Sequence, residues 1–181
     1  EIPKRDWSSD VCSSDLIVWS WNSGDYFSDL DLFAPKTNTN QMRRNLPIDA
    51  QIFGHMNAFD TDSTGDKFVY ASFRDVSRVI KIDKKTGKVV DSWGEKMPSG
   101  EAKKENDFYK NQHDLNVLPN GNILLFNNND IDNNLNSSIA VEFTQGTSTD
   151  SSKIVWRFDC KFDSLSNGKT QRNGGVEQMP N

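Results

Sequence analysis

His55 and His113 are the only histidines in the chain. Each stands behind a polar loop at the start of a β-type run, in "HMNAF" and "HDLNV". An imidazole changes charge near neutral pH and can give or accept a proton, so two at equivalent places of a repeat can share one anion site. The alternative for each is a structural histidine that anchors the entry of its strand. Asn57 follows His55 by two residues, which strand alternation places on the same face. Gln112 and Asp114 flank His113, where Asp114 is either an orienter of the imidazole or an ordinary turn residue. Arg74, in "SFRDVSR", suits charge-assisted contacts to a sulfate or phosphate; a solvated loop arginine is the competing reading.

Other polar clusters carry less chemistry. "DTDSTGD", Asp60 to Asp66, has Thr64 at the fifth position of a calcium loop and Ala71 where the closing Glu belongs, so it reads as a hairpin turn. "NNNDIDNN" lacks the loop glycine and reads as a polar connection. Asn136 opens a formal glycosylation triplet of a kind that arises often by chance. Cys160 has no Cys or His at ligand spacing. No metal site and no cofactor is expected.

The elements that must position these groups are short and β-branched or aromatic. "KFVYASF" and "VIKID" are bounded by Gly, Asp and Asn as strands are. "DKKTGKVVDSW" predicts a hairpin of Val79–Asp83 with Lys88–Trp93, in which Gly87 takes a positive φ. "LPNGNILLFN" predicts another with its turn at Asn120-Gly121. The runs also recur. "IVWSW", "KVVDSW" and "KIVWRF" share a β-branched approach to Trp19, Trp93 and Trp156; "HMNAFDTDSTGDKFVYAS", "HDLNVLPNGNILLFN" and "GGVEQMPN" share a strand entering a turn. His55 precedes His113 by 58 residues, and Pro119 precedes Pro180 by 61. Repeats of about 40–60 residues with four strands each are the signature of propeller blades. The class expected is therefore all-β, a partial β-propeller of about three blades over residues 17–181, cut in mid-hairpin at "QMPN".

The chain has 181 residues, net charge −5 and 34% hydrophobic residues, with five Trp and eleven Phe. Its mean hydropathy is −0.73. That acidic balance, with basic residues confined to short runs, argues against a nucleic-acid partner. No stretch approaches the roughly 20 apolar residues of a membrane span. Cys12 and Cys160 cannot support a disulfide framework. "DWSSDVCSSDL", Asp6 to Leu16, back-translates to a common sequencing-library adapter. Residues 1–16 are therefore expected to be a translated artefact without ordered structure, to be left out of fold reasoning like a tag. With the true N-terminus then missing, the lack of a signal peptide carries no information.

"HMNAFDTDSTGDKFVYASFRDVSRVIKIDKKTGKVVDSWG", "QHDLNVLPNGNILLFNNND" and "SSIAVEF...KIVWRF" together resemble the bacterial arylsulfate sulfotransferase family, from Ile17 to Asn181. The resemblance implies a six-bladed propeller exported to the periplasm or secreted. It implies transfer of a sulfuryl group from an aryl sulfate to a phenol, with no nucleotide sulfate donor and through a sulfohistidine. Carried over by motif, His55 and His113 are site histidines that bind the sulfuryl group or assist proton transfer, and Asn57, Arg74 and Gln112 contact substrate. The histidine that becomes sulfated is expected in a later blade, so the fragment alone is expected to be inactive. The arginine that family members tend to carry soon after Gln-His-Asp is absent here. The alternatives are a non-catalytic propeller that binds a ligand or partner, and a quinone-cofactor or lyase-type propeller. Donor and acceptor phenols and the oligomeric state are not legible in the sequence.

Overall fold

The computed structural model describes residues 17, 19–23, 55–94, 104–128, 137–160 and 173–179. The adapter-like segment 1–16 and the glycosylation triplet's Asn136 lie outside them. The described residues form two sheets. In the first, β1 (Met56–Thr61), β2 (Phe68–Phe73), β3 (Arg78–Asp83) and β4 (Val89–Gly94) run antiparallel in sequence order, and the two-residue β5 (Lys104–Glu105) adds in parallel. In the second, β6 (His113–Val117), β7 (Ile123–Asn127), β8 (Ile139–Phe143) and β9 (Ile154–Asp159) form an antiparallel meander. A single 3-10 turn, Arg74–Val76, links β2 to β3, and there is no α-helix among the described residues. The all-β expectation holds.

Both expected hairpins form, for the expected reason. Gly87 closes the β3–β4 turn at φ 67° and Gly121 the β6–β7 turn at φ 83°, conformations that cost a Cβ-bearing residue steric strain. Asp83 reinforces the first turn by accepting hydrogen bonds from the Thr86 amide and hydroxyl at 2.8 and 3.0 Å. "DTDSTGD" is a hairpin turn as expected: the Asp62 carboxylate accepts from the Thr64 hydroxyl and from the amides of Lys67 and Phe68.

Strand alternation sends side chains to two cores. Tyr70, Val79 and Trp93 of the first sheet pack with Leu115, Ile123, Leu125, Val141 and Phe143 of the second. Removing a Trp, Leu or Phe side chain from water contributes about 1.5–3 kcal/mol each, so this shared layer holds the sheets face to face. The opposite face of the first sheet buries Ala71, Phe73, Ile80 and Ile82, and Trp19 and Trp21 pack over it. Burial on both faces explains why "KFVYASF" reads as continuously apolar instead of alternating.

The tryptophan rhythm has a physical meaning. The Trp93 indole N–H, on β4, donates to the Gln145 carbonyl at 3.0 Å, at the start of the β8–β9 connection. Trp19 and Trp21 do the same to the Lys84 and Gly87 carbonyls in the β3–β4 turn, each at 3.0 Å. In each case a tryptophan indole reaches a hairpin connection in the sheet that follows it in sequence.

Candidate functional site

The two histidines enter their sheets alike. His55 lies just before β1 with φ 39°, and His113 opens β6 and is followed by Asp114 at φ 51°. In both places the ladder then slips: the pairing of β1 with β2 shifts between Met56 and Ala58, and that of β6 with β7 between His113 and Asn116. Such bulges re-aim side chains at strand ends. The slip removes the alternation that would have put His55 and Asn57 on one face. Asn57 instead turns its amide toward the second sheet and donates to the Gln112 carbonyl at 2.7 Å, one residue before His113.

That bond, from β1, is one of several that join the first sheet and the loop after β2 to the loop before β6. The Asn111 side chain donates to the Arg74 carbonyl at 3.1 Å, and the Asn111 amide to the Ser77 hydroxyl at 3.1 Å. The Gln112 side chain is completely buried; its amide donates to the Ser72 hydroxyl at 2.9 Å and lies 3.3 Å from the Phe73 carbonyl. Gln112 thus presents no exposed atom in this structure. It braces the junction that carries His113. The Arg74 amide also donates to the His55 carbonyl at 3.1 Å, which ties His55 to the same junction.

Charge at the junction is arranged around Asp75. Its carboxylate pairs with the Arg74 guanidinium at 3.0 Å, and the His55 Nδ1 lies 3.9 Å away. The Arg74 side chain is only 12% exposed, whereas that of His55 is 46% exposed, so the arginine is held and the histidine faces outward. Asp114 does not orient an imidazole: its carboxylate accepts the Val176 amide. The residue beside the His113 ring is Asn128, whose Oδ1 lies 2.6 Å from His113 Nδ1. Asn128 is completely buried, and its Nδ2 donates to the Asn173 carbonyl at 2.8 Å.

Asn128 escaped the sequence reading because it sits in "NNNDIDNN", a run read as a polar connection. The available signal was register. Asn128 lies two residues beyond Phe126, which pairs with His113 across the β6–β7 hairpin. A shallow cleft of about 390 Å³ lies instead at the far end of that hairpin, lined by Asn120, Gln145, Asp150 and Lys153 among others. It contains neither histidine. Among the described residues no group of three His, Cys, Asp or Glu could hold a metal ion, and no helix is long and apolar enough to cross a membrane.

A family described as Arylsulfotransferase (ASST) matches residues 4–161 of the chain. The match begins inside the segment that resembles an adapter. Comparison with curated proteins finds no match.

Proposed function

Because the chain belongs to the arylsulfotransferase family, we propose that its two sheets are consecutive blades of a propeller and that their junction transfers a sulfuryl group from an aryl sulfate to a phenol through His113. The observation that carries this reading is the engagement of His113 Nδ1 by Asn128 at 2.6 Å, which leaves Nε2 as the ring nitrogen able to attack. In the first step the Nε2 lone pair forms a bond to sulfur while the sulfur–oxygen bond to the phenol breaks, and the phenolate departs and takes up a proton. In the second step an acceptor phenol gives up its proton and attacks the same sulfur, and Nε2 leaves. A covalent imidazole carrier divides one difficult transfer into two easier ones and requires no nucleotide donor.

The remaining junction residues take roles that follow from their placement. Arg74 offers cationic donors to the sulfuryl oxygens, with Asp75 holding its guanidinium. His55, at the rim, passes the proton to the departing phenolate or takes it from the acceptor. Asn57 and Gln112 position the backbone that carries His113. This reading puts the nucleophile at His113, in place of a histidine in a later blade. The blade reading is supported by the tryptophan indole bonds and by Trp156, which repeats the position on β9 and is 47% exposed. Periplasmic or secreted location and a phenolic substrate pair follow from the family alone.

The test is steady-state transfer from a chromogenic aryl sulfate to a second phenol. Parallel double-reciprocal lines are expected, with the rate lost in His113→Asn. Unchanged turnover in His113→Asn would move the nucleophile elsewhere.

A further inference from the structure

The orientation of the Asn128 amide is determined by its second partner. The Asn173 carbonyl can only accept, so the atom 2.8 Å from it must be the Nδ2 donor. Oδ1 then faces His113, and since a carbonyl oxygen can only accept, the proton between them belongs to His113 Nδ1. We infer that Asn128 is a positioning residue that holds neutral His113 in the Nδ1–H tautomer and so presents the Nε2 lone pair; its catalytic meaning rests on the reading of His113 as the sulfuryl carrier. An unconstrained histidine side chain in water favours the opposite tautomer, with the proton on Nε2, which would block attack from that atom.

The segment that supplies the Asn173 carbonyl is itself held in place. The Asn116 side chain donates to the Val176 carbonyl at 2.9 Å, and the Val176 amide donates to Asp114. Between Asn173 and this anchored Val176, Gly174 lies against Phe126 at φ 121°, where an added Cβ would fall 2.4 Å from the ring. Only glycine lets the backbone approach closely enough for Asn173 to reach Asn128. In the repeat, Gly174 stands where His113 stands one unit earlier. The third repeat thus contributes a backbone carbonyl in place of a third imidazole.

The experiment is long-range ¹H–¹⁵N NMR of the full chain with ¹⁵N-labelled histidine, recorded well above the ordinary histidine pKa. With only two histidines present, His55→Asn assigns the spectrum. A pyrrole-type Nδ1 and a pyridine-type Nε2 are expected for His113, with the Nδ1–H form falling from nearly the whole population to a minority in Asn128→Ala. A pyrrole-type Nε2 in the parent protein overturns the inference, as does an unchanged spectrum in folded Asn128→Ala. If that variant does not fold, the parent spectrum alone decides. Tautomer and transfer fail separately: the Nδ1–H form without any sulfuryl transfer leaves Asn128 as the orienter and removes the catalytic reading, and the Nε2–H form with transfer does the reverse.

Discussion

Under the proposed transfer, His113, Arg74 and His55 have different jobs, and substitution should separate them. Arg74→Ala removes donors aimed at developing charge and is expected to lower kcat by about 10²–10³-fold, with His113 still able to accept a sulfuryl group. His55→Asn is expected to cost about 10²-fold or more, most for phenols whose leaving oxygen is most basic, since these depend most on a proton donor. A loss of equal size for acidic and basic leaving groups would count against that role. The histidines stand out in the sequence because a rare residue recurs at one place in a repeat. Asn128 does not, because nothing local distinguishes one asparagine in an asparagine-rich run; its importance comes from hairpin register and from Asn173, 45 residues away. Asn57 and Gln112 stood out in the sequence, but the bonds they make were not readable there. Alternation fails at a bulge, and burial is not visible in a polar residue's name.

Strands and their turns were largely legible, since Gly87 and Gly121 mark positive φ and β-branched runs mark the ladders. What the local pattern does not contain is which distant segments touch, within a sheet or between sheets. Gly94 is an example: at φ 138° its missing Cβ would lie 2.3 Å from the Ser77 carbonyl oxygen. Gly94→Ala is therefore expected to destabilise by about 2–4 kcal/mol, read as a fall in the denaturation midpoint. Trp93→Phe retains most of the apolar surface and loses the indole bond to Gln145, with an expected cost of about 0.5–1.5 kcal/mol. Tyr109 makes the opposite case. Burial pushes its phenol pKa upward, and its hydroxyl, near the Arg78 guanidinium and the Val79 backbone, meets no partner in good hydrogen-bonding geometry among the described residues. Tyr109→Phe removes a buried polar atom and should leave the melting temperature unchanged or higher. A drop comparable to that of Gly94→Ala would show that the hydroxyl is paired.

At the scale of the whole molecule, acid should loosen the hairpins before it reaches the cores. Desolvation pushes the Asp62 carboxyl up, but hydrogen bonds from the Phe68 and Lys67 amides and the Thr64 hydroxyl outweigh it and hold its pKa below the usual value. The Thr86 amide and hydroxyl lower Asp83 in the same direction. A depressed folded pKa means stability that is present above the unfolded carboxylate pKa of about 4 and is lost as pH falls through the folded value. The deficit of the double variant Asp62→Asn, Asp83→Asn relative to the parent should thus be full at neutral pH and shrink below about pH 4, measured by urea unfolding. The central claim concerns the junction of the two sheets, and covalent trapping tests it most directly. The 181-residue chain is mixed with an aryl sulfate in the absence of acceptor, kept alkaline to protect a nitrogen–sulfur bond, digested, and mapped by mass spectrometry. The account expects one phenol released per chain and the mass of one SO₃ on the peptide containing His113; a sulfuryl group on any other residue, or none on any peptide, would contradict it.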